Sequence, residues 1–408
     1  MDRRSFIKQS ASVIAAGAYA KMPLAATTDD AIVVAGITDL SGGLDIYGKP
    51  MADCLSFAVE EWNAKGGLLG KPLKLLTYDP QSSMQLYTQF AQQAALKDKV
   101  AVVQGGITSA SREVMRPVLD RYRTLYFYNT LYEGGVCDRN TFCTGVTPNQ
   151  TVAKLVPYAM SKWGKKVYVV AADYNYGQIT SQWIKKFVQE HGGNVASVDF
   201  FPLDVTGFGP TISKIQAAKP DMVISVLVGA AHMSFYRQWA AAGMHKKIPL
   251  ASTTFGGGNE QIVLSPDEAD GLLVAKNYFE ELDNPVNNAF RTRFRKRFGV
   301  DYPCITELGM ATYQGFNLWA EGVRKAGTIE RMKVIAALES GISIDAPSGK
   351  VTVDAATHHC VLNVSLAEVR NRKFEIVQSF PAQPPSDTSA VCNLIKNPND
   401  NQQYVLKF

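Results

Sequence analysis

Three hydroxyl-bearing residues stand at the ends of two short apolar runs. Val100-Ala101-Val102-Val103 stops at Gly105-Gly106 and leads to Ser109, and 125–128 ends in Tyr128-Asn129-Thr130. A four-residue apolar run that ends in paired glycines reads as a buried strand entering a turn. Ser109 or Ser111 then occupies the place of a helix N-cap, ahead of helical spacing over 112–122. Two neighbouring parallel strands would deliver Ser109, Tyr128 and Thr130 to their carboxyl ends, the edge at which open α/β sheets bind ligands. Serine and threonine hydroxyls suit a carbonyl or carboxylate oxygen, and a helix N-terminus adds unpaired N–H groups. Each hydroxyl alone could merely cap a turn. Three on one edge favour a pocket.

The elements that must hold these residues repeat. Apolar runs at 31–37 and 73–78 alternate with helical patterns at 51–65 and 85–95, and Gly66-Gly67 closes the first helix. Pro148-Asn149-Gln150 opens a second copy. It has helices at 151–163, 181–191, 211–217 and 232–242, and strands at 166–172, 195–200, 222–228 and 249–252. Alternating strands and helices predict an α/β fold of parallel sheets flanked by helices. The second copy brings Tyr174, Tyr176, Gly229, Thr253 and Thr254 to its own strand ends. Two lobes facing each other across a cleft are therefore expected, with tyrosines able to wall a planar or aliphatic solute.

Beyond these copies, 271–278 reads as a crossover and 306–326 and 330–338 as helices. The end of the chain is β-rich at 349–353, 360–369 and 374–377, followed by an irregular strap over 381–387. The stretch 288–298 interleaves arginines with Phe290, Phe294 and Phe298. Phenylalanines four apart share one helix face, so a core stripe under a solvated basic face is expected rather than a nucleic-acid surface.

At 408 residues, 46% hydrophobic and 19% charged, the composition is that of a globular protein of two or three domains. Its formal charge of +5 is concentrated at the front: residues 1–26 hold four cations against one anion. Little excess remains to attract nucleic acid. Asp2-Arg3-Arg4-Ser5-Phe6-Ile7-Lys8 followed by a small apolar stretch is a twin-arginine leader pattern, with cleavage expected after Ala26 and Ala18-Tyr19-Ala20 as the second candidate site. Among six cysteines, Cys137 and Cys143 flank a short loop and form a candidate disulfide, with unpaired buried cysteines the equal alternative. His358-His359 would point to opposite faces of a strand, and no further ligand completes a metal spacing. No metal, no cofactor and no catalytic residue is expected, since GxSxG, Walker and HExxH motifs are missing.

The opening Ile37-Thr38-Asp39-Leu40-Ser41-Gly42-Gly43 with Tyr47-Gly48, the stretch Gly66-Gly67-Leu68-Leu69-Gly70-Lys71-Pro72-Leu73 and Asp79-Pro80 resemble the type I periplasmic binding proteins of the leucine/isoleucine/valine-binding family. Tyr132-Glu133-Gly134, Asn140, 144–150, 345–351, His358-His359 and 374–377 resemble its urea-binding and short-chain-amide-binding branch. The resemblance implies two Rossmann-like lobes joined by a three-crossover hinge. These would comprise 27–146 with 281–345, and 147–280 with 346–408. It also implies a periplasmic monomer or weak dimer that closes on a small solute and delivers it to an ABC permease. Ser109, Tyr128, Thr130, Tyr174, Tyr176 and Thr253 or Thr254 would line the cleft. A bound amino acid needs a carboxylate for its ammonium, and Gly229-Ala230-Ala231 supplies none. A urea or amide is thus expected ahead of a branched-chain amino acid, with Asp173, Glu133 and Glu260 the carboxylates that could reverse that order. An exported sensor subunit for a receptor kinase is the alternative in class.

Overall fold

The computed structural model describes residues 30–405; the twin-arginine pattern and its cleavage site lie outside the described residues. The first part runs β1 (Ile32–Ile37), α1 (Asp45–Ala64), β2 (Leu73–Tyr78), α2 (Met84–Gln92), β3 (Val102–Gly105), α3 (Ser109–Arg121), β4 (Leu125–Tyr128), β5 (Val136–Asp138) and β6 (Thr141–Cys143). Strands β2-β1-β3-β4-β6 form one parallel sheet. The second part runs α4 (Pro148–Trp163), β7 (Lys166–Ala172), α5 (Asn175–Glu190), β8 (Asn194–Phe201), α6 (Gly209–Ala218), β9 (Met222–Val226) and α7 (Ala230–Ala241). It continues through β10 (Leu250–Ser252), α8 (Glu260–Val263), α9 (Pro266–Ala269) and β11 (Leu273–Lys276). Here β8-β7-β9-β10-β11 are parallel. The alternation of strand and helix has produced two sheets, as expected of an α/β chain.

The remainder runs α10 (Pro285–Phe298), α11 (Glu307–Ala326), α12 (Arg331–Glu339), β12 (Ser343–Ala346), β13 (Gly349–Asp354), β14 (His359–Arg370), β15 (Lys373–Gln383), α13 (Ser386–Ser389) and β16 (Asn401–Gln403). Helices α10 to α12 return to the first sheet, where Phe316, Trp319 and Val323 share a core with Phe57, Phe127 and Phe142. Strand β14 pairs antiparallel with β11, β13 and β15 and so ties the tail to the second sheet. The phenylalanine stripe is core: the Phe290 and Phe294 rings meet Phe57 edge-on at 5.7 and 5.2 Å. Arg293 and Arg297 face outward, to Glu61 and Glu60, both at 2.6 Å, while Arg291 and Arg295 pair with the buried Glu280.

Several sequence expectations need correction. The apolar run at 271–278 is not simply a crossover, because its centre is β11, an interior strand of the second sheet. The strap at 381–387 is part strand and part helix. Helix α1 starts six residues before Met51 and runs through Pro50. The cap of α3 is Thr108, in a reciprocal capping box with Ser111. Ser109 is thereby released from capping and becomes the first helical residue.

The Cys137–Cys143 pairing is overturned. Cys137 is bonded to Cys392, 255 residues away, while Cys143 is a buried free thiol. The cause is the divergence of β5 from β6. Cys143 ends β6 inside the first sheet's core, whereas β5 lies outside that sheet and pairs with β16, and Cys137 clusters with Cys392 and Leu394.

The histidine pair does not lie on one strand. His358 occupies a turn with φ +58°, its Nε2 3.1 Å from Glu339, and His359 opens β14. His359 Nδ1 donates to the Thr357 carbonyl at 2.8 Å, and its Nε2 accepts from the Tyr132 hydroxyl. Burial lowers the His359 pKa to about 4. In an unfolded chain it would titrate near 6.5. Between those values the unfolded chain binds the extra proton, so stability is lost as pH falls from about 6.5 to about 4, by up to roughly 3 kcal/mol. Urea midpoints at pH 7 and pH 4.5 should therefore separate further for the native protein than for His359→Gln. Equal separations would remove His359 as the source.

Candidate functional site

The carboxyl ends of both sheets meet at one cavity. It is lined from the first sheet by Ile107 and Ser109 after β3, by Tyr128, Thr130 and Leu131 around the end of β4, and by Tyr47 of α1. From the second come Tyr174 and Tyr176 after β7, Val228 after β9, and Thr254 and Gly257 after β10; Leu308 of α11 completes the wall. The cavity opens to solvent, and its mostly apolar wall with a few hydroxyls is the kind of lining that takes a small organic solute. No charged side chain is among the lining residues.

Six of the seven residues singled out in the sequence are in this lining. The seventh, Thr253, stands directly behind it, its Oγ1 accepting the Tyr176 hydroxyl at 2.8 Å. Tyr47, Ile107, Leu131, Val228, Gly257 and Leu308 were missed as site residues. One sequence signal could have found Tyr47. The dipeptides Tyr47-Gly48 and Tyr176-Gly177 recur at corresponding places, each in the first turn of the helix that follows the first strand of its sheet. Both glycines are required by close approach. A Cβ on Gly48 would lie 1.9 Å from the Asp39 carbonyl oxygen, and one on Gly177 1.9 Å from that of Ala172. Each helix thus seats its first turn against its own strand end and turns a tyrosine to the cleft.

Burial raises the phenol pKa values of Tyr47, Tyr128, Tyr174 and Tyr176, so all four stay protonated at neutral pH. The charges lie one layer back. Arg112 and Glu133 are wholly buried and paired at 3.0 Å, with the guanidinium 5.0 Å from the Tyr128 ring centre and 4.6 Å from that of Tyr132. Glu133 Oε2 accepts from Ser109 Oγ at 2.5 Å, and its backbone carbonyl accepts from Trp183 of α5 at 3.3 Å. On the opposite side, Glu260 takes the backbone N–H of Gly256 at 2.6 Å and that of Gly258 at 3.1 Å, fixing the turn that carries Gly257. His232 Nε2 lies 3.8 Å from Glu260. Asp173 is exposed and accepts from Gln178. None of the three carboxylates weighed for an ammonium is in the lining, and Glu133 and Glu260 are both engaged by the protein.

The wall can therefore do two things. Its aromatic and aliphatic members exclude water around a small body. Its hydroxyls, with the first-turn N–H groups of α3 and α5, which lack intrahelical partners, can orient polar atoms. Among the described residues no group of His, Cys, Asp and Glu could hold a metal. Among the same residues no helix is long and apolar enough to cross a membrane.

The family profile described as periplasmic binding protein domain matches residues 32–388. The chain is 23% identical to Leu/Ile/Val-binding protein homolog 6 of Brucella melitensis over 368 residues, 87% of this chain and 92% of that one. A solute-binding protein of an ABC transporter from R. palustris, solved with 4-hydroxybenzoate, superposes with a TM-score of 0.76 at 23% identity, covering 87% of this chain and 98% of the other. A leucine-binding protein from Thermotoga maritima does so at 0.75 and 20%, covering 86% and 99%. With that match spanning most of its length, and with two α/β sheets closing on one cleft, the chain belongs to the periplasmic binding protein domain family and has the type I fold of the leucine/isoleucine/valine-binding proteins.

Proposed function

We propose that this chain is the solute-binding component of an ABC importer, working outside the cytoplasmic membrane and closing on one small solute in the cleft. The observation that carries this reading is a cavity lined by the strand ends of both sheets with no charged side chain. Filling such a gap links the sheets, and a permease can read the closed form. The lobes would be 27–146 with 281–345, and 147–280 with 346–408, the end of the second crossing back onto the first through β16 and the Cys137–Cys392 bond. Family membership supports a place beyond the cytoplasm, and Arg3-Arg4 supports the twin-arginine route. An Arg3→Lys, Arg4→Lys double variant should stay in the cytoplasm, as fractionation would reveal; efficient secretion would refute that route.

The solute we favour carries a carbonyl and lacks an ammonium, as a short amide or urea does. An α-amino acid would bury its ammonium without a carboxylate, at a cost of roughly 3–5 kcal/mol. A second reading, a benzoate-type aromatic acid, is supported by the tyrosine, leucine and isoleucine wall and by the 4-hydroxybenzoate in the R. palustris relative. Thermal-shift screening against amides, ureas, benzoates and amino acids tests both, because a solute that binds the native state raises its melting temperature. With a hit in hand, Ser109→Ala and Thr130→Ala should each weaken binding by roughly 1–3 kcal/mol. Unchanged calorimetric affinity would place the solute elsewhere.

A further inference from the structure

Each hydroxyl in the cleft has one proton to give, and its neighbours decide where that proton goes. A carbonyl oxygen can only accept. Tyr128 Oη lies 3.1 Å from the Ile107 carbonyl, Thr130 Oγ1 2.8 Å from that of Gly106, and Thr254 Oγ1 2.8 Å from that of Leu227. These three hydroxyls therefore donate to the backbone. Ser109 Oγ lies 2.5 Å from Glu133 Oε2, and the other oxygen of that carboxylate is held by Arg112. A guanidinium-bound carboxylate accepts, so the Ser109 proton is also directed away from the cleft. Tyr176 likewise gives its proton to Thr253 Oγ1 at 2.8 Å, so five lining side chains are left with lone pairs and no proton for a solute. Tyr47 is the converse: its oxygen accepts from the Gly229 N–H at 3.2 Å, so its own proton remains to be given.

We infer that Glu133 is a positioning residue that makes Ser109 a hydrogen-bond acceptor, and that the cleft selects solutes presenting N–H or O–H donors to Ser109, Thr130 and Thr254; this rests on the function proposed above. Primary amides and phenols meet that requirement. Esters, ethers and tertiary amides do not. Ser109 cannot turn its proton to a solute without leaving a buried carboxylate oxygen unmatched. The carboxylate itself is held at both oxygens. Arg112 grips it while lying against the rings of Tyr128 and Tyr132, and the same guanidinium nitrogen reaches Gln403 Oε1 of β16 at 2.6 Å. The last strand of the chain thus helps set the polarity of a serine in the cleft.

The test uses the purified full chain and three matched pairs: benzamide with N,N-dimethylbenzamide, 4-hydroxybenzoate with 4-methoxybenzoate, and butyramide with methyl butyrate. Calorimetry should show the donor-bearing member of any bound pair about tenfold or more tighter, the effect of one unmatched buried polar group. Thr130→Val, which keeps the shape and removes the acceptor, should weaken that member alone. Glu133→Gln can still accept from Arg112 while its amide N–H donates to Ser109, freeing the serine proton, so capped compounds should gain and the ratio should fall. A ratio near one in the native protein overturns the inference. So does a ratio that survives both variants, since methyl bulk would then explain it. If Glu133→Gln does not fold, Thr130→Val decides alone. Silence from all three pairs refutes the solute class, whereas the function proposed above fails only if a broad metabolite library also produces no shift.

Discussion

Replacing Arg112 by Met should cost roughly 3–5 kcal/mol of stability, because it leaves Glu133 charged, wholly buried and without its cation. No comparable loss is expected from the surface pairs such as Arg297 with Glu60, where both partners are half exposed and the contribution is about 0–1 kcal/mol. Arg112 also covers the faces of Tyr128 and Tyr132, so part of the loss is packing. A double variant, Arg112→Met with Glu133→Leu, should recover much of the stability, since removing both charges ends the desolvation penalty. It should not recover binding, because Ser109 loses its partner. Equilibrium urea unfolding of the three proteins decides the matter. A loss below about 1 kcal/mol for Arg112→Met would mean that water reaches Glu133.

The second large effect belongs to the disulfide. Cys137–Cys392 closes a loop of 255 residues, and constraint of the unfolded chain grows with loop length. Cys392→Ser should therefore destabilise the protein by roughly 2–5 kcal/mol, the usual span for a native bridge. Dithiothreitol should lower the melting temperature of the native protein and leave that of Cys392→Ser unchanged. Equal midpoints for reduced and oxidised native protein would show that the tail is held by its other contacts. Those are considerable: Asp387, itself buried, accepts from Thr147 Oγ1 at 2.8 Å and from the Asn149 N–H at 3.1 Å, and Gln403 reaches the Gly134 carbonyl at 2.8 Å.

The two sheets were legible because a parallel sheet buried on both faces writes its strands as continuous apolar runs, and the intervening helices carry their own spacing. The strand ends followed, and with them Ser109, Tyr128, Thr130, Tyr174, Tyr176 and Thr254 in the cavity wall. What escaped was non-local. Leu308 reaches the wall from α11, about 180 residues beyond Thr130 in the chain, because that helix packs along α1 and returns to the first sheet. Cys392 finds Cys137 because β16 pairs with β5, a two-stranded contact of three residues a side that no periodicity announces. Ser109 was seen, but as a cap and a donor. Only the placement of Glu133 and Thr108 shows that Thr108 is the cap and that the Ser109 proton goes to Glu133.

The contacts of Gly48 and Gly177 bear on how this receptor could change its cargo. Both helix starts rest on main-chain carbonyls with no room for a methyl group, so Tyr47 and Tyr176 are set by backbone touching backbone. The place of each on its own sheet is not adjustable by trimming neighbours. Val228 and Leu308 are aliphatic members of the wall, and shortening them is the economical route to admitting a bulkier molecule.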